Sequence, residues 1–353
     1  MKKWSIALVL LFCGMCLFAQ SLFDLVKTGT PEQVQAAIKA GANVNDRDMF
    51  GRTLLMYAAE YNENPAVITV LMNAGAKLDD RAEFSGRTPL MLAASFNKNP
   101  DVIRTLLNAG AKMDDRDEYG MTPLMLAAEY NENPDVITTL LNAGAKLDDR
   151  DEDGWTPFMR AAAFNENPAV ITTLLNAGAK LDYRDEDGWT PFMYAARYNE
   201  NPDVIRTLLN AGAKLDDRDE LFGETPFMHA ASGNENPDVI TTLLNAGAKL
   251  DDRDEYGQTP LMLAAWFNKN HDVIKILLNA GANVNDRDTF GMTPLMYAAS
   301  GNENPDVITV LLNAGADAKA KSNEGKTAFD YAQDNPKIKG TKAYRDLNKA
   351  LFR

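Results

Sequence analysis

Cysteine and histidine are scarce in this chain of 353 residues: Cys13 and Cys16 near the start, and His229 and His271. With both cysteines inside the first 19 residues, the rest of the chain can build neither a disulfide framework nor a thiol nucleophile. Two histidines far apart in sequence supply no histidine triad and no zinc site. No glycine-rich phosphate loop is present. Carboxylates are plentiful but recur in near-identical copies, so no single pair is set apart for acid–base work. These absences exclude most enzyme classes. The expectation is a non-enzymatic protein with no cofactor and no metal.

Long apolar runs are also missing, apart from Trp4 to Phe18. That run is short for a spanning helix and follows Lys2 and Lys3, with the small residue Ala19 behind it. Residues 1–19 read as a bacterial-type secretory signal peptide, which places the protein in the periplasm or outside the cell. An uncleaved anchor and a lipoprotein at Cys13 or Cys16 remain as less supported alternatives. After cleavage no membrane insertion is expected.

The formal charge is −14. Residues 317–353 run the other way, with nine Lys/Arg against five Asp/Glu. An acidic body repels nucleic acid and anionic lipid, so neither is expected as a partner. It suits basic or polar partners, or simply solubility.

What is abundant is repetition. Ala-Gly-Ala returns every 34 or 35 residues, with its glycines at 41, 75, 110, 144, 178, 212, 247, 281 and 315. A second marker, Gly-x-Thr-Pro or a close variant, runs in step from Gly51 to Gly325. Such a period means a stacked repeat array.

Residues 152–185 show one unit. Asp153-Gly154 marks a tight turn, and Thr156-Pro157 caps and opens a helix carrying Phe158, Met159, Ala161 and Ala162. Asn165 sits where a left-handed helix stop is expected, and Asn167-Pro168 opens a second helix with the stripe Val170, Ile171, Leu174 and Leu175. Gly178 ends that helix, and a polar link leads to the next turn. The fold class is all-α: a solenoid of about ten helix-turn-helix units.

This unit resembles the ankyrin repeat. The stretch D-E-Y-G-M-T-P-L-M-L-A-A (117–128), followed by V-I-T-T-L-L-N-A-G-A (136–145), carries the resemblance, which covers nearly all of residues 21–353. The departures are regular. The family's helix-turn Gly-His is replaced by Asn-Glu or Asn-Lys, as at Asn62-Glu63, with one extra residue. The family's Thr-Pro-Leu-His histidine is methionine, from Met56 to Met296, which removes a side-chain hydrogen-bond partner. Two links gain a residue near Phe84-Ser85 and Leu221-Phe222. The expected organisation is one repeat domain over 20–353: an N-terminal cap (20–46), eight full repeats (47–322) and a C-terminal cap repeat (323–353).

The resemblance implies a binding surface in a concave groove of hairpin tips and first helices. Three columns vary there. The residue after the turn glycine includes Trp155 and Trp189; the residue before the double alanine includes Tyr57, Arg160 and Tyr194; the residue four further on includes Tyr61, Phe96, Tyr130, Phe164, Tyr198 and Phe267. The last two columns share a helical face. Their rings either stack along the solenoid or form an aromatic groove for a peptide or protein. Trp155 and Trp189, in adjacent repeats, are the strongest candidates for partner contact, and Trp266 beside Phe267 joins them. Arg160 is expected to stack on Phe164. The run Asp149 to Gly154 begins like a calcium loop, but Arg160 stands where the ligating Glu belongs, so the acidic links read as solvated hairpin tips. The function expected is a monomeric protein–protein interaction scaffold. A self-associating structural or protective envelope protein and an exported effector acting on a host protein are the alternatives.

Overall fold

The computed structural model describes residues 22–352; residues 1–19, read above as a signal peptide, lie outside them. The described chain is helical, its one β contact being an isolated bridge between Arg47 and Thr53. Two compact units are present. One runs to Ala161 and includes Thr172–Ala179; the other comprises Ala162–Ile171 and Lys180–Arg353. Each is a stack of helix pairs. The first helices include Leu54–Tyr61, Pro89–Phe96 and Pro123–Tyr130 in the first unit. Pro191–Tyr198, Pro226–Gly233, Pro260–Phe267 and Pro294–Gly301 belong to the second. Each is followed by a second helix such as Pro134–Asn142 or Pro237–Asn245. Among the described residues no helix is long and apolar enough to cross a membrane.

The core follows from the sequence stripe. Val136, Ile137 and Leu140 of a second helix, and Met125, Ala127 and Ala128 of the first helix before it, are fully buried. The alanines give neighbouring helices close approach, and the larger side chains fill the space between layers.

Each first helix opens on a threonine whose side chain accepts from the backbone N–H three residues on, as Thr122 does from Met125 at 3.3 Å. The methionine does not leave its end of this box empty. The Thr122 N–H donates to the Met125 Sδ at 3.4 Å, and the same contact recurs at Thr88, Thr190, Thr225 and Thr259. The thioether is a weak acceptor that replaces the partner expected to be lost.

The asparagine after each first helix departs from expectation. Among the described residues none other than glycine has positive φ, and Asn199 is extended (φ −83°, ψ 121°). Its side chain is buried and bridges repeats. The Asn199 amide donates to the carbonyls of Ala162 and Asn165, both at 3.0 Å, and its oxygen accepts from the Asn201 N–H. Asn234, Asn268, Asn302 and Asn335 repeat this arrangement in the second unit; Asn62, Asn97 and Asn131 do so in the first. The following asparagine caps the second helix and donates back to the preceding repeat, as Asn236 does to the Glu200 carbonyl at 2.6 Å. The first asparagine ladder therefore satisfies buried backbone carbonyls that the turn would otherwise leave unpaired, and the second joins exposed carbonyls of neighbouring repeats.

A third ladder joins the hairpins. The Arg253 Nη1 donates to the Gly257 carbonyl of its own turn and to the Arg287 carbonyl of the next repeat, at 2.6 and 3.0 Å. Arg81 and Arg116 do the same in the first unit. The links are thus stitched together rather than being merely solvated tips. Residues 22–28 and the helix Pro31–Lys39 begin the described part of the first unit, with Glu32, Gln33 and Lys39 exposed. Ala328–Ala332 and Lys342–Ala350 end the described part of the second, burying Ala343 and Leu347 beneath an exposed basic face.

Candidate functional site

The hairpins and first helices share a face whose chemistry starts from an aspartate present in most links. Its Oδ1 accepts backbone N–H groups two and four residues on: Asp117 from Tyr119 (3.0 Å) and Met121 (2.9 Å), Asp288 from Phe290 (2.9 Å) and Met292 (2.7 Å). This turns the hairpin and leaves Oδ2 facing the first helix. The side chains of Asp117, Asp151 and Asp219 are fully buried, so these acids are internal, contrary to the solvated-tip expectation.

Where the column before the double alanine is polar, it meets that aspartate. The Tyr57 hydroxyl donates to Asp48 at 2.6 Å and the Tyr297 hydroxyl to Asp288 at 2.5 Å, and Tyr194 donates to Asp185. Burial and the Asp48 hydrogen bond push the Tyr57 hydroxyl up to about 12. Arg160 reaches Asp151 at 2.7 Å, with Asp153 and Glu129 also within ion-pair distance. Where the acid is absent, at Ala82, the column holds Leu92, and the two pack against Met56. The polar members of this column thus meet an internal partner, while Leu126 and Leu263 stand in the repeats of Asp117 and Asp254. Tyr194, expected to touch a partner protein, is only 6% exposed. Arg160 lies over the Trp155 ring at 4.5 Å.

Trp155 and Trp189 are half-buried. Trp189 has its ring 3.9 Å from that of His229 and 5.0 Å from that of Tyr194, so it covers the next repeat's polar pair. Neither tryptophan is fully exposed. Each lies against the side chain that pairs with a hairpin aspartate.

The third column stands out toward solvent. Tyr61, Phe96, Tyr130, Phe164, Tyr198 and Phe267 are each between 43 and 52% exposed. Phe96 packs at a tilt against Tyr130 with ring centres 5.7 Å apart in the first unit, and Phe164 against Tyr198 at 5.9 Å in the second. Gly233 and Gly301 do not thin this row. A Cβ on Gly233 would lie 2.8 Å from the Arg197 Cγ, and one on Gly301 would lie 2.2 Å from the Trp266 Nε1. Each glycine yields its place to a large side chain of the preceding repeat.

A second exposed ring row was missed in the sequence. It lies on the hairpins: Phe50, Phe84 and Tyr119 in the first unit, and Phe222, Tyr256 and Phe290 in the second. Phe222, Tyr256 and Phe290 succeed one another at 6.1 Å. The signal was present, since most turn glycines follow an aromatic residue directly or one position removed. In the second unit the two rows flank an open groove of about 480 Å³. Phe222, Tyr256 and Phe290 line one side and Trp266, Phe267 and Tyr297 the other, with Glu224 and Asp254 between.

This combination of threonine-capped helix pairs, glycine turns and hydrogen-bonded hairpins is decided by comparison with known families. Ankyrin repeats (3 copies) match residues 22–117, 64–151, 124–219 and 214–288, and Ankyrin repeats (many copies) match 277–332. The chain belongs to the ankyrin repeat family. No curated protein was found to match it. Ankyrin repeats are generally protein–protein interaction modules and typically act as non-enzymatic scaffolds.

One constellation in this ankyrin array was invisible in sequence. Asp219, Glu224 and His229 bring one ligand atom each within 4.8 Å of one another. The His229 Nε2 lies 2.9 Å from the Asp219 Oδ2, and its Nδ1 lies 3.1 Å from the Glu224 Oε2. Neither contact is aligned as a hydrogen bond. The three groups could present one nitrogen and two oxygens to a small cation. Equally, His229 holds the place from which Tyr194 and Tyr297 meet their own hairpin aspartates.

Burial, with the charges of Asp219 and Asp254 nearby, pushes the Glu224 carboxyl up to about 7. A carboxyl raised on folding stabilises the fold below its ordinary value of 4.5, and that contribution is lost as pH rises through about 7. Glu224→Gln should therefore be more stable than the parent at pH 8, by about 2–3 kcal/mol. The gap should close toward pH 4.5. Urea denaturation of both proteins at each pH checks this, and a gap unchanged with pH would contradict it.

Proposed function

We propose that this protein binds another polypeptide along the face of hairpin tips and first helices, as a monomer, outside the cytoplasm. The observation that carries the reading is the pair of exposed ring rows flanking the groove in the second unit. Isolated exposed rings need no explanation, whereas a continuous apolar patch of rings with polar groups between them is what binding surfaces present. The columns that vary without being exposed, Tyr57, Arg160 and Tyr194, are bound to hairpin aspartates and support the face from beneath. Lys2, Lys3 and the apolar run to Phe18 support export.

The test uses protein purified from the exported fraction of its source cells, whose absence from that fraction would count against export. Partners are captured with the parent and with Phe222→Ala/Tyr256→Ala/Phe290→Ala. Light scattering reports the oligomeric state. These three residues are exposed, so folding should survive, while capture should fall by at least tenfold. Equal capture by the two proteins would overturn the assignment of the face.

A further inference from the structure

The groove in the second unit differs from its counterparts in one respect. Every other hairpin aspartate described above is met by a hydroxyl, an imidazole or a guanidinium. Asp254 is not. Its Oδ1 accepts the N–H groups of Tyr256 (2.9 Å) and Gln258 (2.7 Å). Among the described residues no side-chain donor and no cation reaches its carboxyl, although Asp254 is only 9% exposed. The helix position that should answer it is Leu263, itself buried.

The first unit shows what fills this arrangement. Asp117, Leu126 and Tyr130 have the same spacing as Asp254, Leu263 and Phe267. There the acid is met from the preceding repeat: the Arg87 Nε lies 3.2 Å from the Asp117 Oδ2, with the guanidinium 5.6 Å from the Tyr130 ring centroid. The residue equivalent to Arg87 beside Asp254 is Glu224, thirty positions before it in both cases. A carboxylate thus stands where the first unit has a guanidinium, and two acids face one apolar groove.

Resting on the reading that this face binds a polypeptide, we propose that the groove receives an arginine side chain of that partner. Its guanidinium lies against the Trp266 and Phe267 side and its charge is taken by Asp254 and Glu224. Burying one carboxylate without a counter-charge is unfavourable, and a second beside it adds repulsion. The carboxyls of both Glu224 and Asp254 are accordingly pushed up, each chiefly by burial. A cation relieves both. A planar guanidinium suits the site better than an ammonium, because it stacks on rings while its donors reach two carboxylates at once. The groove volume of about 480 Å³ accommodates such a side chain with its flanking backbone.

The test uses the purified chain labelled with nitrogen-15, with the Trp266 indole signal assigned by its loss in Trp266→Phe. The probes are blocked glycine heptapeptides with a central arginine, citrulline or phenylalanine. The arginine peptide should shift the indole signal and bind at least about tenfold more tightly than the citrulline peptide, which differs in charge at nearly constant shape. Asp254→Asn keeps the backbone acceptor and should weaken arginine binding at least about tenfold. Glu224→Arg rebuilds the Arg87 arrangement from within and should abolish it in a folded protein. Equal binding of arginine and citrulline peptides, or unchanged binding in both variants, would overturn the inference. Binding of the phenylalanine peptide alone would do the same while leaving the binding face intact. If no peptide binds, the arginine site is rejected, and the ring-truncated capture decides the face separately.

Discussion

Asn268→Ala is expected to destabilise the second unit by about 3–5 kcal/mol, as much as truncating a large core side chain. Asn268 is 1% exposed. Its amide donates to the Ala231 carbonyl at 3.0 Å and the Asn234 carbonyl at 2.8 Å, and its oxygen accepts from the Asn270 N–H at 2.9 Å. Alanine removes all three partners at once. Each buried backbone group left unpaired costs about 1–3 kcal/mol, and partial relaxation brings the total below the full sum. Asn268→Asp separates hydrogen bonding from packing. It preserves shape and the acceptor but loses both donors and sets a carboxylate against two carbonyl oxygens. At pH 7 it should therefore be at least as damaging as alanine. In a stacked array stability is a sum of unit and nearest-neighbour terms, and this residue lies within a neighbour term. Urea unfolding should accordingly become biphasic, with amide exchange accelerated on both sides of the break. A single transition shifted by less than about 1 kcal/mol would show that the ladder does not hold the repeats together.

The contrast between the asparagines and the glycines shows how far the fold was legible in sequence. The period, the threonine caps, the glycine turns and the Val-Ile-Leu-Leu stripe are local signals, and local rules read them correctly. The asparagine turn was read by the same rules as a left-handed stop and is instead extended. Its reason for recurring is a carbonyl in the preceding repeat, some 34 to 38 residues away, which no window over one turn can contain.

The proposed binding face was legible in the same uneven way. The solvent-facing rings from Tyr61 to Phe267 were found because they recur at helical spacing. The hairpin row from Phe50 to Phe290 was passed over because a residue beside a turn glycine carries no helical period. Variation between repeats was read as a sign of contact with a partner. For Tyr57, Arg160, Tyr194 and His229 it marks instead a choice among side chains able to meet the hairpin aspartate. Asp254 is informative for this reason. Its repeat keeps the aspartate and changes both residues that would answer it, Leu263 on the helix and Glu224 in the preceding repeat.

Two glycines in the second unit that share a positive φ should respond very differently to the same substitution. Gly212 and Gly188 both have positive φ, +99° and +79°. Around Gly212, the glycine of Ala-Gly-Ala, an added Cβ meets nothing within 4 Å. Gly212→Ala should therefore cost only backbone strain, about 1–2 kcal/mol. At Gly188, before Trp189, the Cβ would lie 2.6 Å from the Glu220 backbone nitrogen and 2.5 Å from its Cγ. That nitrogen donates to the Asp187 carbonyl at 3.0 Å, joining one hairpin to the next. The Gly188 carbonyl in turn accepts from Arg184, a member of the arginine ladder. An alanine there must separate two backbones already bonded to each other, adding a lost hydrogen bond and a hairpin shift to the strain. Gly188→Ala should cost about 3–4 kcal/mol. Because the strain is common to both sites, the difference between the two melts isolates the crowding. Gly212→Asn provides a further check, since asparagine tolerates positive φ and should recover part of the loss. Equal destabilisation at Gly188 and Gly212 would mean that the turn glycine is required by φ alone and that the hairpin stack yields readily.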